Sequence, residues 1–358
     1  MSVKPFYALS AVLLLLAGPP AVAQDYAGLG SEAAGFAMVE PGRQLSFPAD
    51  YGMHADYRIE WWYVTANLKD AEGNEYGAQW TLFRQALEPG PQRAGWSSQQ
   101  FWMGHAALTS RDNHWGSETF GRGGIGQAGV DSTPFHAWID NWELVSTAPP
   151  GKDAFSAMRM TARANHFSYD IRLRADGPLI LHGDEGYSLK STSGQASYYY
   201  SQPFLSAEGQ IVIDGERRAV EGRAWLDREW SSQPLAPDQE GWDWFSMHLG
   251  DNEKLMLFRL RHADGHAYRA GTWVGKGGEV QPLASDEIVM TPEGVTELAG
   301  RDIPTRWHIV VAKAGIDINV RALNPGSWMN TSFSYWEGPI EIGGSHEGVG
   351  YLEMTGYQ

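Results

Sequence analysis

Cysteine is missing from the whole chain of 358 residues. Disulfides, thiolate metal sites and lipid attachment through cysteine are therefore excluded, and stability must come from packed cores. The 11 histidines form no His-x-His pair, so the sequence indicates no metal site. The Gly-x-Ser-x-Gly motif and a glycine-rich phosphate loop are missing too, which leaves serine-hydrolase and nucleotide-dependent chemistry without support. We expect neither a metal nor a cofactor.

Long apolar runs are missing after the first residues of the chain. Lys4 is followed by a short apolar run at residues 11–17, by Gly18, and by a small-x-small site at residues 21–23. This pattern predicts a signal peptide over residues 1–23, cleaved after Ala23 so that the mature protein begins at Gln24. Its apolar run is shorter than the ~20 residues that a membrane helix needs. We therefore expect a periplasmic or secreted protein with no membrane span in the mature chain.

Positive charge is scarce: the chain has 27 Lys and Arg against 43 Asp and Glu, which gives a formal charge of −16. Such a charge repels nucleic acid and anionic lipid head groups, so we expect no nucleic-acid partner. Aromatic residues, in contrast, are abundant: 16 Trp, 15 Tyr and 13 Phe. They serve either as fillers of large β cores or as ligand-binding surfaces.

Helical periodicity is nearly absent after the signal peptide. Runs of five to nine residues with period-two alternation recur instead, for example at residues 59–68, 76–83 and 254–261, separated by turn residues such as those at 70–74. Short strands at this spacing predict an all-β protein built from antiparallel barrels or sandwiches. The length favours roughly two domains.

A weak internal repeat refines this prediction. Residues 61–68 (WWYVTANL) are followed by Leu-Phe-Arg at 82–84, and residues 242–249 (WDWFSMHL) by Leu-Phe-Arg at 257–259. The repeat predicts two similar β domains, which we place at residues 24–195 and 196–358. In each copy an acid, Glu60 or Asp243, starts a mostly apolar strand face, as expected for a ligand-holding barrel or for a capped core. We expect Glu60 to be partly buried and to pair with Arg84 or nearby polar groups.

The densest candidate site lies in residues 222–233 (GRAWLDREWSSQ). On a strand, Trp225, Asp227 and Glu229 share one face, whereas Arg228 and Trp230 share the other. Two carboxyl groups about 6.5–7 Å apart beside an indole would favour a proton on one of them, which makes Asp227 a candidate general acid and Glu229 its partner. The other interpretation is a solvated acidic patch neutralised by arginine. Tyr198 and Tyr200, in the run 198–200, could line a pocket with phenols or form an interdomain edge.

Together these segments resemble the AttH-like, carotenoid 1,2-hydratase (CrtC)-related lipocalin-like family. The resemblance spans essentially the whole mature chain and rests on residues 47–54 (FPADYGMH), 57–65 (YRIEWWYVT), 82–84 (LFR), 105–108 (HAAL), 181–184 (LHGD), 186–188 (GYS), 224–230 (AWLDREW), 241–245 (GWDWF), 335–338 (YWEG) and 350–357 (GYLEMTGY).

The resemblance implies a pair of lipocalin-like (calycin) antiparallel β-barrel domains. It also implies, for the hydratase branch of the family, that Asp227 donates a proton to an alkene, with an aromatic residue two positions earlier at Trp225. That branch has His-x-Trp where this chain has Tyr198-Tyr199-Tyr200, so a His–Asp arrangement is missing here.

Our leading functional hypothesis is therefore an exported lipocalin-like protein that binds a small hydrophobic, lipid- or isoprenoid-like ligand. A second hypothesis is a hydro-lyase or isomerase that adds water to an unsaturated isoprenoid by acid-initiated chemistry, with Asp227 and Glu229 as catalytic residues. A third, from another class, is a glycan-binding protein or glycosidase, for which an open groove paved with Trp would be expected. The residues assigned to ligand binding are Trp225, Trp230, Trp242, Trp244, Tyr198, Tyr200, Trp62 and Glu60.

Overall fold

The structure, a computed structural model, describes residues 33–357. The signal peptide predicted for residues 1–23 lies outside these residues. The described chain forms two antiparallel sheets, a nearly closed barrel and a half-barrel, so the prediction of an all-β fold of lipocalin-like type is confirmed. Between Ala33 and Tyr357, no helix is long and apolar enough to cross a membrane.

The first sheet contains the strands up to residue 231. Its strands are β1 (Ile59–Asp70), β2 (Glu75–Ala86), β3 (Gln100–Ser110), β4 (His114–Arg122), β5 (Ala128–Ser132), β6 (Phe135–Ile139), β7 (Trp142–Ser146), β8 (Ala157–Arg163), β9 (Phe167–Ala175), β10 (Ile180–Leu181), β11 (Tyr187–Leu189), β12 (Ala196–Ile213) and β13 (Glu216–Ser231). Their order is β4-β3-β2-β1-β13-β12-β9-β8-β7-β6-β5, with β10 and β11 added beside β12.

The second sheet contains the remaining strands. These are β14 (Gln239–Leu249), β15 (Lys254–His262), β16 (Ala267–Val274), β17 (Val280–Leu283), β18 (Val289–Leu298), β19 (Arg301–Val311), β20 (Ile316–Ala322), β21 (Trp328–Met329), β22 (Tyr335–Gly344) and β23 (Gly348–Met354). Their order is β17-β16-β15-β14-β23-β22-β20-β19-β18, with β21 beside β22. A short 3₁₀ turn precedes β1 at Ala49–Tyr51, and others lie between strands at Gly95–Ser97, Ala154–Ser156, Gly250–Asn252, Ser285–Glu287 and Ala312–Ala314.

The longest hairpin, β12–β13, is shaped by two local features. Its turn is Asp214-Gly215, where both residues have positive φ, as the tight turn between twisted strands requires. The pairing of β12 with β13 shifts between Gln202 and Leu205, around Pro203, which has no backbone N–H to donate to a ladder. The half of β12 before this irregularity pairs with β10 and β11, and the half after it pairs with β9.

The chain changes sheet later than the predicted domain boundary between residues 195 and 196. β12 and β13 belong to the first sheet, because β13 pairs with β1 along the whole of β1 and β12 pairs with β9. The crossing to the second sheet is made by residues 232–238.

The internal repeat corresponds to equivalent hairpins. β1–β2 carries the first copy and β14–β15 the second. In the first hairpin Glu60 lies opposite Arg84 and forms an ion pair with it, as predicted. In the second, Asp243 lies opposite Arg259 and pairs with it at 2.7 Å.

Apolar side chains collect in three main places. One cluster fills the interior of the first barrel and a second fills the half-barrel. A third cluster lies between the two sheets and takes Tyr63, Tyr199 and Trp225 from the first sheet and Trp244 and Phe258 from the second. The candidate site is found at this third cluster.

Candidate functional site

A mostly apolar cavity of about 130 Å³ lies between the two sheets. The first sheet contributes Trp61, Tyr63, Tyr199, Asp227 and Glu229, among others, and the second contributes Trp242, Trp244, Phe258 and Glu353. The cavity is therefore shared by both halves of the chain and lies outside both barrel interiors.

Strand register explains which side chains of the first sheet reach this cavity. On the central strands, Asp227 of β13 lies beside Tyr63 of β1 and Ser201 of β12. Glu229 lies beside Trp61 and Tyr199 in the same way. Because neighbouring residues in a sheet point to the same side, these two rows all face the second sheet.

Asp227 is buried at the cavity wall and accepts three hydrogen bonds. Its Oδ1 accepts from the Trp225 indole N–H at 2.7 Å and from the Ser201 hydroxyl. Its Oδ2 accepts from the Tyr199 hydroxyl at 2.8 Å. The Tyr199 hydroxyl in turn accepts a hydrogen bond from the Trp244 indole N–H at 3.0 Å. Trp244 of the second sheet therefore helps to orient Tyr199 of the first sheet.

The environment of Asp227 favours its neutral form. Burial raises the pKa of Asp227 to about 7, and the nearby charge of Glu229 adds to this effect. The hydrogen bonds from Ser201, Trp225 and Tyr199 act in the opposite direction and only partly offset burial. Within residues 33–357 Asp227 forms no ion pair, and Arg228 points to the other face of β13, where it binds Glu60. The solvated, arginine-neutralised patch is therefore not what the structure shows.

A buried line of hydrogen bonds continues behind Asp227. The Ser201 hydroxyl lies 2.6 Å from Nε2 of His182, and Nδ1 of His182 lies 2.8 Å from the Thr272 hydroxyl in the second sheet. Burial lowers the pKa of His182 to about 3, so its ring is neutral. Since Ser201 donates to Asp227, Nε2 must carry the ring proton and Nδ1 must accept from Thr272. This arrangement directs the Ser201 proton to Oδ1 of Asp227.

Glu229 is already paired. Its carboxylate lies 2.9 Å from the Lys190 ammonium and accepts a hydrogen bond from Ser197. The Lys190 ammonium also lies over the rings of Tyr199 and Phe258, at 4.7 and 4.3 Å from their centroids. Both of these contacts are made by Oε1 of Glu229, and the charge of this carboxylate acts on Asp227.

The second sheet brings a further carboxyl group to the cavity. Glu353 of β23 accepts a hydrogen bond at 2.5 Å from the Trp242 indole N–H. It is partly accessible from the cavity, yet protein atoms surround it so closely that burial raises its pKa to about 7. The charges of Asp227 and Glu229 raise that pKa further, while the bond from Trp242 lowers it.

Four of the predicted site residues line the cavity: Asp227, Glu229, Trp242 and Trp244. Trp225 lies behind Asp227 and holds it, rather than lining the cavity.

The other five predicted ligand-binding residues lie inside the first barrel, away from this cavity: Glu60, Trp62, Tyr198, Tyr200 and Trp230.

Strand alternation is the physical reason why these residues lie inside the barrel. Tyr198, Tyr200 and Trp230 have the opposite parity to Tyr199 and Glu229, so they point into the barrel. There the Tyr200 hydroxyl donates to the Asp50 carbonyl at 3.0 Å, and Trp230 stacks on His54 at 4.0 Å between ring centroids. These contacts belong to the packed interior of the first barrel, and none of the three side chains lines the cavity.

Sequence reasoning missed several residues of the site: Trp61, Tyr63, His182, Lys190, Tyr199, Ser201 and Glu353. Residues that lie beside Asp227 or Glu229 in register must share their face, but the turn alone does not give that register. Centred on its Asp-Gly turn, the β12–β13 hairpin would place Gln202 beside Asp227 and Tyr200 beside Glu229. The irregularity between Gln202 and Leu205 shifts the pairing by one residue, to Ser201 and Tyr199, and no sequence pattern indicated Glu353.

The raised pKa of Asp227 has a measurable consequence for stability. The pKa of Asp227 is higher in the folded protein than in the unfolded chain. Ionisation of Asp227 should therefore make the folded state less stable as pH rises from about 4 to about 7. The variant Asp227→Asn lacks this titration. We expect the unfolding free energy of the wild type, relative to the variant, to fall by about 4 kcal/mol between pH 4 and pH 8. Urea unfolding of both proteins at the two pH values measures the difference, and a pH-independent difference would contradict the raised pKa.

Comparison with solved structures places this geometry among related folds. A Nitrosomonas europaea protein described as a candidate AttH is 31% identical with a TM-score of 0.79, and the match covers 90% of this chain and 100% of that one. Kievitone hydratase from Nectria haematococca is 16% identical with a TM-score of 0.66, over 90% of this chain and 98% of that one. CghA with Sch210972 is 11% identical with a TM-score of 0.53, over 84% and 88%. The last two likenesses show the fold alone.

A search of curated proteins gives no match. The AttH-like family model, in contrast, matches residues 38–357, which is nearly all of the part of the chain that the structure describes. On this match the chain belongs to the AttH-like family.

Proposed function

We propose that the cavity between the sheets binds the alkene end of a small or chain-like hydrophobic ligand, and that Asp227 protonates this alkene so that water adds to it. The observation that carries the proposal is a buried carboxyl group on the wall of an apolar cavity, with its pKa raised to about 7 so that a large share of it is protonated at neutral pH. A neutral carboxyl is a general acid, and an apolar wall excludes competing water. Hydration is also the reaction named for the similar Nectria structure.

The size of the cavity limits the ligand. An engineered cavity of about 150 Å³ holds one benzene molecule, so about 130 Å³ accommodates roughly one isoprene unit. The remainder of a longer ligand would extend out of the cavity, for example past Phe333, a lining residue that is exposed. This favours a terminal alkene as the reacting group.

The chemical step balances within the site. The π electrons of the alkene take the proton from Asp227, which leaves a carbocation and a carboxylate. That carboxylate keeps its hydrogen bonds from Ser201, Trp225 and Tyr199, which stabilise the charge as it forms. The faces of Trp61 and Trp244 supply cation–π stabilisation to the carbocation. Water then forms the C–O bond and loses a proton to a carboxylate, which completes a tertiary alcohol.

Two other functions use the same cavity differently. Ligand binding without turnover needs only the apolar walls of the cavity. It is distinguished from hydration by the absence of an alcohol product. For a glycan we expect an open groove paved with Trp, and a cavity of only about 130 Å³ between the two sheets gives that function little support.

The test is incubation of the mature protein with a panel of acyclic isoprenoids that end in a trisubstituted alkene, in water enriched in ¹⁸O. We expect an alcohol that carries one ¹⁸O atom, detected by mass spectrometry. Tight binding by calorimetry with no alcohol from any panel member would leave the binding function alone. If the protein neither binds a panel member nor forms an alcohol, both the hydration function and the binding function are contradicted.

Trp61→Ala provides a test of ligand binding that does not depend on turnover. Trp61 lines the cavity, and a ligand packed on its ring would lose about 1 kcal/mol of contact energy, which corresponds to roughly fivefold weaker binding. Trp138→Ala is the matched control, because the Trp138 indole donates to the Gly126 carbonyl at a different part of the first sheet. Calorimetric titration with the tightest panel member gives both affinities. Equal weakening by the two substitutions would argue against a ligand at Trp61.

A further inference from the structure

We infer that Glu353 is a second catalytic residue of this cavity, which takes the proton from the water that attacks the carbocation. This inference rests on the proposed function and deepens it. It makes the reaction depend on both sheets, with the acid on β13 and the base on β23.

The position of Glu353 suits that role. It lies directly opposite Trp244 in the β14–β23 pairing, and Trp244 is the residue that donates to Tyr199 beside Asp227. The carboxyl therefore faces the same cavity as Asp227 from the other sheet. Among the described residues its single hydrogen bond comes from Trp242 to Oε1, so Oε2 remains available to a water molecule.

The groups coupled by charge to Glu353 are acids and a phenol, while Arg84, His105 and Lys190 also line the cavity. Asp227 and Glu229 face it from β13, Glu337 from β22 and Tyr63 from β1. The Lys190 ammonium is engaged by Glu229. Two buried carboxyl groups with no cation of their own resist simultaneous ionisation, so Asp227 and Glu353 together keep about one proton near neutral pH. One group is then ready to donate while the other is ready to accept.

The step with Glu353 balances in atoms and charge. Asp227 gives a proton to the alkene carbon, a lone pair of water forms the C–O bond, and Glu353 takes one proton from that oxygen. The site ends with Asp227 ionised and Glu353 neutral, and one proton passed from Glu353 to Asp227 through water restores it. Because acid and base stand on opposite sheets, hydrogen and hydroxyl add to opposite faces of the alkene.

Glu353→Gln separates the two halves of the reaction. In D₂O enriched in ¹⁸O, the variant should still form the carbocation, which then returns a proton to Asp227, so recovered alkene gains deuterium. We expect its yield of ¹⁸O-labelled alcohol to fall by about 10²-fold. Glu347→Gln, at an exposed position just before β23, is the matched control and should behave as wild type. Alcohol formation by Glu353→Gln at the wild-type rate would overturn the inference.

The same experiment distinguishes this inference from the proposed function. If the wild type forms neither deuterated alkene nor labelled alcohol, the proposed function fails and takes the role of Glu353 with it. If the wild type forms alcohol and Glu353→Gln equals it, only the role of Glu353 fails.

Trp242→Phe gives a second test, which also serves if Glu353→Gln does not fold. The indole N–H stabilises the charged form of Glu353, so its loss should raise the pKa of the base. We expect the acidic limb of the pH–rate profile to move to higher pH, whereas the alkaline limb, which reports Asp227, stays in place. A profile that is lowered uniformly, with both limbs unmoved, would contradict a base at Glu353.

Discussion

Asp227→Asn is expected to lower the rate of alcohol formation from an unsaturated isoprenoid by at least about 10²-fold. The amide has nearly the same shape as the carboxyl group but carries no proton acidic enough to protonate an alkene. Ligand affinity should change little, because the apolar walls at Trp61, Trp244 and Phe258 remain. Single-turnover assays measure the rate, and calorimetry measures the affinity.

Glu221→Gln is the matched control for this variant. Glu221 is on the same strand as Asp227 but is exposed and lies beside Lys69, away from the cavity. It should retain the wild-type rate. Wild-type turnover by Asp227→Asn would show that another group supplies the proton, and loss of turnover in both variants would point to a general effect on the strand.

Glu60→Ala is expected to destabilise the protein by about 3–5 kcal/mol. Glu60, Arg84 and Arg228 are all fully buried inside the first barrel, and Glu60 binds both guanidinium groups. Burial alone would raise the pKa of Glu60, but the two arginines hold it below its usual value. Removing the carboxylate leaves two buried positive charges close together without their shared partner.

Glu75→Ala is the control for that measurement. Glu75 pairs with the exposed side chains of Lys69 and Arg111, and such surface pairs contribute only ~0–1 kcal/mol. Urea unfolding of the two variants should therefore differ by several kcal/mol. Below its unfolding transition, Glu60→Ala should bind ligand as the wild type does, because Glu60 lies off the cavity. A small stability change with a large loss of affinity would restore Glu60 to the ligand site.

The fold class was predictable because alternation survives in the sequence wherever one face of a strand is buried. The run at residues 59–68 lies within β1, and the run at 254–261 lies within β15. The repeat predicted that Glu60 and Arg84 belong together, and cross-strand register places them opposite each other. The same logic applies to Asp243 and Arg259.

The site was only partly predictable, because both faces of the central strands are buried. On β1, Trp62 points into the barrel and Trp61 points towards the second sheet, and both are aromatic. Trp62 was chosen because its strand face was expected to line a ligand-holding barrel, and Tyr198 because its phenol could line a pocket. Composition alone cannot choose between two apolar faces. The face of Asp227 was correctly assigned relative to Trp225 and Arg228, since alternation along one strand needs no register.

Glu353 was beyond sequence reasoning for a different reason. It reaches Asp227 only because β23 pairs with β14 and the second sheet packs on the first, both of which are contacts distant in sequence. The domain boundary depended on long-range pairing as well. Nothing local in residues 196–231 shows that β12 and β13 pair with β9 and β1.

The central claim, that Asp227 has a raised pKa and stays partly protonated near neutral pH, can be tested without a ligand. Infrared difference spectra between the wild type and Asp227→Asn, recorded across a pH series, isolate the carbonyl stretch of the protonated Asp227 carboxyl group. We predict that this band persists to neutral pH and disappears with a midpoint near the pKa of about 7. A band that is lost with a midpoint near ~4, the ordinary value for an aspartic acid, would contradict the account.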